Sequence, residues 1–104
     1  MNRIEQLEIF LLETPNDAFL NYALATEYVS MGDDEKAEFI FRDLLEKNPD
    51  YVATYYHLGK LLERKQQKNE AMDTYRIGIE KAKAKGEQHS LSELQSALLE
   101  LEYE

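Results

Sequence analysis

Cysteine and tryptophan are absent from these 104 residues, and glycine and proline are scarce, at four and two. Without cysteine there is no disulfide, no thiolate metal site and no cysteine nucleophile. The same lack fits a reducing compartment. So few glycines and prolines leave room for long unbroken helices. Long apolar runs are also missing. In the opening segment, MNRIEQLEIFLLE, the longer run is only Ile9 to Leu12, and acids interrupt the rest. That is not a secretory signal, and no stretch approaches the length needed to span a bilayer. The expectation is a soluble, cytoplasmic chain that does not associate with membranes.

Chemistry-bearing constellations are sparse as well. Asp33-Asp34-Glu35 lacks the alternating acids, central glycine and closing glutamate of a calcium loop, and reads as helix capping. No glycine-rich loop follows a strand, and no Ser-His-Asp or paired-carboxylate arrangement is supported by spacing. The two histidines are His57 and His89. His89 stands four residues before Glu93, a spacing that could hold a metal weakly but suits a solvated linker better. The expectation is therefore no catalytic residue, no cofactor and no metal.

What is present points to a small folded domain. Hydrophobic residues make up 43% and charged residues 32%, as in globular rather than disordered chains. The net charge is −9, and it is unevenly spread. Residues 1–48 hold eleven acids and four bases, residues 49–86 five acids and eight bases, and residues 87–104 five acids and no base. An acidic sum argues against nucleic acid as a partner. The basic middle segment reads as a solvated helix face.

An internal repeat organises the chain. Pro15 and Pro49 lie 34 residues apart, and the same offset aligns Tyr22 with Tyr56, Leu24 with Leu58 and Ala37 with Ala71. It also aligns Arg42 with Arg76, Glu46 with Glu80 and Lys47 with Lys81. Each unit, 15–48 and 49–82, opens on a proline turn whose Asn or Asp can cap the following helix. A first helix is predicted from about Asp17 to Ser30, with Leu20, Leu24, Tyr28 and Met31 at helical spacing. Gly32 ends it, and Asp33 or Asp34 caps a second helix running through Ala37, Phe41 and Leu44 to about Lys47. In the next unit the helices are predicted at about Tyr51–Lys65 and Gln67–Lys85. Gln66 stands there in the place of Gly32, which leaves that turn less well specified. Two flanking helices complete the chain. Residues 2–13 carry the stripe Ile4, Leu7, Phe10 and Leu11. Residues 90–103 open on the capping box Ser90-Leu91-Ser92-Glu93 and carry Leu91, Leu94, Leu98 and Leu101 on one face. By periodicity Phe10, Tyr28, Phe41, Tyr55 and Tyr75 belong to the core.

Both units resemble the tetratricopeptide repeat family. The second carries Tyr55, Leu58, Gly59, Leu62, Ala71 and Tyr75; the first carries Leu24, Ala25, Tyr28, Ala37, Phe41 and the closing Pro49. Departures are Asn21 for the first aromatic, Leu44 and Gly78 at a position usually alanine, and Lys83 where the second unit would close with proline. The resemblance covers about residues 15–83. It implies an all-α fold of antiparallel helix pairs in a short superhelix (an α-solenoid) of about six helices, with residues 2–13 and 90–103 as flanking caps.

The resemblance also implies function. First helices of the family line a concave groove that receives a peptide or a helix. Carried over, the groove positions are Phe19, Tyr22, Ala23, Thr26 and Val29 in the first unit. In the second they are Ala53, Tyr56, His57, Lys60 and Arg64. The rival for each is packing against a neighbouring helix. Tyr22, Thr26 and His57 occupy places where the family's chaperone-binding members grip a terminal carboxylate, so that clamp is absent or altered here. The expected role is a non-catalytic adaptor that binds another protein, with an apolar or mixed ligand of some acidic character suiting Phe19, Tyr22, Tyr56, Lys60 and Arg64. The alternative is a self-assembling module that forms a homodimer through the groove or the end helices.

Overall fold

In a computed structural model that describes all 104 residues, the chain forms six α-helices and no strand. They are α1 (Arg3–Glu13), α2 (Ala18–Ser30), α3 (Asp34–Lys47), α4 (Ala53–Arg64), α5 (Lys68–Lys85) and α6 (Gln88–Glu102). Two compact units divide them: Met1–Tyr51 holds α1 to α3, and Val52–Glu104 holds α4 to α6. None of these helices is long and apolar enough to cross a membrane.

The helix pair in each unit is made by the same backbone turn. After α2, Gly32 takes a φ of 83°. Its N–H donates to the Val29 carbonyl at 3.0 Å, and the Asp33 N–H donates to the Tyr28 carbonyl at 2.9 Å. After α4, Gln66 takes a φ of 61°, its N–H donates to the Glu63 carbonyl at 2.9 Å, and the Gln67 N–H donates to the Leu62 carbonyl at 2.9 Å. The second turn thus copies the first without the glycine. A left-handed non-glycine residue costs about 1–2 kcal/mol, and glycine's extra freedom in the unfolded chain offsets about 0.5–1 kcal/mol of any gain. Gln66→Gly is therefore expected to stabilise the protein by about 0.5–1 kcal/mol, a rise of a few degrees in melting temperature. A variant melting at or below the parent in differential scanning calorimetry would refute this account of the turn.

Helix starts differ between the units for a residue-level reason. Asp17 caps α2, its carboxylate accepting the Leu20 N–H at 2.8 Å, and Asp33 caps α3 through the Lys36 N–H at 3.2 Å. The register mate of Asp17 is Tyr51, which offers no such acceptor, and α4 begins after Val52 without a side-chain cap. The proline turn alone therefore sets the start of α4.

In the first unit, Leu7 of α1 meets Ala23 and Leu24 of α2, with Ile4, Leu11, Leu20, Tyr28 and Ile40 packed around them. Ala37, Phe41 and Leu44 are buried along α3. In the second unit, close helix approach rests on two glycines. A Cβ on Gly59 would meet ring carbons of Tyr75 at 2.7 Å, and one on Gly78 would stand 2.5 Å from the Tyr55 Cβ and 3.1 Å from a Leu94 methyl. The rings of α5 and α4 therefore lie where a side chain would otherwise be. α6 packs on α5 and also touches α4, burying Leu94, Ala97 and Leu101.

Several expectations need correction. Phe10, placed in the core by periodicity, is 59% exposed, because α1 turns Ile4, Leu7 and Leu11 toward α2 and leaves Phe10 off that stripe. Met31 is 68% exposed; it follows the last residue of α2, where the chain turns away. The capping box at Ser90 does not form. Without a proline at Lys83, α5 runs a turn past the register at which α3 stops and ends on Gly86 in the left-handed conformation, φ 69°. α6 then starts two residues later at Gln88, so Ser90 lies inside the helix. A capping box does form at the other end, where Asn2 and Glu5 exchange hydrogen bonds at 2.8 and 3.1 Å. Leu91 and Leu98 are half-buried rather than fully covered.

Candidate interaction cleft

One concavity of the second unit lies between α4 and α6. Residues one turn apart on α4, Tyr56 and Lys60, form one wall of a cleft of about 310 Å³. The other wall is α6, which contributes Ser92, Glu93, Ser96, Ala97 and Glu100, with His89 at one end. These α6 residues share a side by spacing: 93, 97 and 100 recur at the i, i+4, i+7 interval, and 92 and 96 flank them. The α6 wall is thus short at Ser92 and Ser96 and carries longer carboxylate side chains at Glu93 and Glu100.

The charges of the cleft are anchored from the interior. The Tyr75 hydroxyl, buried under the helix pair, donates to the Glu63 carboxylate. Glu63 stands 3.8 Å from the Lys60 ammonium, which in turn lies 5.5 Å above the Tyr56 ring. Burial pushes the Tyr75 phenol well above the usual tyrosine range, and its bond to the negative Glu63 adds to this. The phenol thus remains a donor at any physiological pH. Lys60 is already opposed by Glu63. Across the cleft Glu100 makes no salt bridge, and Glu93 pairs with His89, 3.8 Å away and 90% exposed, and also acts on His57. Burial holds His57 below the ordinary imidazole value, with Glu93 partly opposing the shift.

The structure places the sequence-derived groove residues unequally. Tyr56 and Lys60 line the cleft; His57, beside them on α4, stacks edge-on with Tyr56 at 5.5 Å. Ala53 is half-buried and Arg64 exposed, and neither lines the cleft. In the first unit Phe19 is 57% exposed, while Tyr22 packs its ring on Tyr51 at 5.7 Å. The Thr26 hydroxyl donates to the Ala23 carbonyl at 2.8 Å. Ala23 is buried and Val29 half-buried. The α6 wall was not anticipated. Its signal was the small and acidic positions Ser92, Glu93, Ser96, Ala97 and Glu100 running beside the leucine stripe. No group of three or more histidine or acidic side chains is placed to hold a metal ion.

Models of the tetratricopeptide repeat match residues 18–61 and 52–83. A tetratricopeptide repeat domain protein from Salinibacter ruber is 50% identical, with 83% of this chain and 96% of that one covered, and superposes with a TM-score of 0.81. A protein from Bordetella parapertussis is 25% identical over 99% of this chain and 90% of that one, with a TM-score of 0.84. The type III secretion translocator chaperone SycD of Yersinia enterocolitica shares the fold at 15% identity, over 96% and 70% of the two chains, with a TM-score of 0.86. A comparison with curated protein sequences finds no match. With six helices, two repeat matches and a half-identical relative, the chain belongs to the tetratricopeptide repeat family. Repeats of this family generally mediate protein–protein interaction, and the fold is typically a non-catalytic module.

Proposed function

We propose that the protein is a non-catalytic adaptor whose unit 52–104 receives a peptide or helix of a partner protein in the α4–α6 cleft. The observation that carries this reading is the cleft itself, an open concavity walled by a half-buried aromatic and a lysine on one helix and by serines and glutamates on the other. An aromatic ring facing polar side chains supplies the apolar anchor and the hydrogen-bonding rim that peptide grooves use. Partner capture with the intact protein and with Tyr56→Ala tests it. The variant is expected to lose most of the partners recovered by the parent while keeping its helical circular dichroism. Equal recovery by both proteins would remove the cleft from the account.

Self-association is a second reading, favoured by Ile9, Phe10 and Leu12 on α1, which are 48%, 59% and 82% exposed. Exposed apolar side chains of this kind are candidate contacts for a second copy. Sedimentation over a concentration series decides it, since a strict monomer at high concentration rules this reading out.

A further inference from the structure

The charge pattern of the cleft identifies its occupant more closely than its shape does, and this inference rests on the adaptor reading above. The lysine within it, Lys60, is opposed by Glu63 at 3.8 Å, and Glu63 is itself held by the Tyr75 hydroxyl. What the cleft offers outward is therefore the exposed face of α6, the carboxylates Glu93 and Glu100 with Ser92 and Ser96 beside them, while the Ala97 methyl is buried at its floor. Glu100 has no cationic partner, and the partner of Glu93 is a histidine that carries charge only when protonated. A ligand with acidic side chains would meet these carboxylates with like charge, at a cost. A cationic one would complete them. The ligand inferred here differs from the acidic one expected from the sequence, because α6 sets the carboxylates Glu93 and Glu100 across the cleft from Lys60.

We infer that the α4–α6 cleft binds a basic amphipathic helix, with two lysine or arginine side chains one heptad apart and an apolar side chain between them. The spacing follows from α6. Glu93 and Glu100 lie about 10.5 Å apart along the axis at 1.5 Å per residue, the separation of matching positions in successive heptads of a ligand helix. The two cations meet Glu93 and Glu100, and the apolar side chain between them packs against the half-buried Tyr56 ring.

The test uses the intact protein and three synthetic amphipathic peptides, identical except at two positions a heptad apart that carry lysine, glutamine or glutamate. The lysine peptide is expected to bind with amide NMR shifts concentrated at Tyr56, Ser92 and Ser96. It should bind on the order of tenfold more tightly than the glutamate peptide, with the advantage shrinking as salt is raised. Glu93→Gln and Glu100→Gln should each weaken the lysine peptide several-fold and leave the glutamine peptide unchanged. Equal or tighter binding of the glutamate peptide, with shifts at the cleft, overturns the charge assignment and leaves the cleft standing. Shifts on another surface, or no saturable binding of the lysine peptide, overturn both. Concentration-dependent sedimentation abolished by Tyr56→Ala would show a second copy in the cleft and would also overturn the inference.

Discussion

Gly59→Ala is expected to lower the melting temperature by about 8–16 °C, although alanine is the better helix former. Two effects compete. In a helix interior alanine is favoured over glycine by about 0.8–1 kcal/mol. Against this, the new methyl would enter the Tyr75 ring, with ring carbons at 2.7 Å. Tyr75 has no room to retreat, since it is fully buried and its hydroxyl is fixed on Glu63. Overpacking of a filled core costs about 1–3 kcal/mol and at times more. A fixed ring places this site at the upper end, leaving a net loss of about 2 kcal/mol, and each kcal/mol shifts melting by about 4–8 °C in a domain of this size. Thermal unfolding followed by circular dichroism measures it. An unchanged or raised midpoint would mean that helix propensity outweighs packing here and that the contact between α4 and α5 is looser than described.

Truncation after Gly86 should have a larger effect still. It removes α6 and with it the cover over Gly78, where a Leu94 methyl lies 3.1 Å from the position a Cβ would take. Leu94 is fully buried and Leu101 is 4% exposed. Burying a leucine is worth about 1.5–3 kcal/mol, so the pair contributes about 3–6 kcal/mol, against a total stability of about 5–15 kcal/mol for a domain. The ion pairs that tie α6 down, Arg76 with Glu102 at 3.7 Å and Lys85 with Glu87 at 3.3 Å, are solvent-exposed and add little. The shortened protein is expected to melt far below the parent, to aggregate, and to lose cleft binding because one wall is gone. Near-normal stability with stronger partner binding would instead identify α6 as a plug of the binding surface.

The repeat made much of this fold legible. Pro15 and Pro49, Gly32, and the pairs at 34-residue offset locate four helices to within a residue or two. Boundaries failed where one local signal had to compete with another. Ser90-Leu91-Ser92-Glu93 has the composition of a capping box, but the left-handed Gly86 ends α5 and returns the chain before Ser90 is reached. Phe10 fits a stripe with Ile4 and Leu7, yet a helix that packs on one neighbour buries a narrow face, and Leu11 rather than Phe10 fills it. The site was half legible for a similar reason. Tyr56 and Lys60 follow from their repeat positions. Glu93, Ala97 and Glu100 belong to a segment outside the detectable repeat, and only the packing of α6 beside α4 makes them the opposite wall.

The hydroxyl of Tyr75 links two jobs that are usually assigned to different residues. It fills the interior of the helix pair, and it holds the Glu63 carboxylate that stands 3.8 Å from the Lys60 ammonium. Core packing and the placement of charge beside the proposed cleft are therefore set by one side chain. A phenylalanine at position 75 would keep the volume of the core yet leave Glu63 to Lys60 alone, and if the cleft binds as proposed, a relative with that exchange would present a different charge balance there.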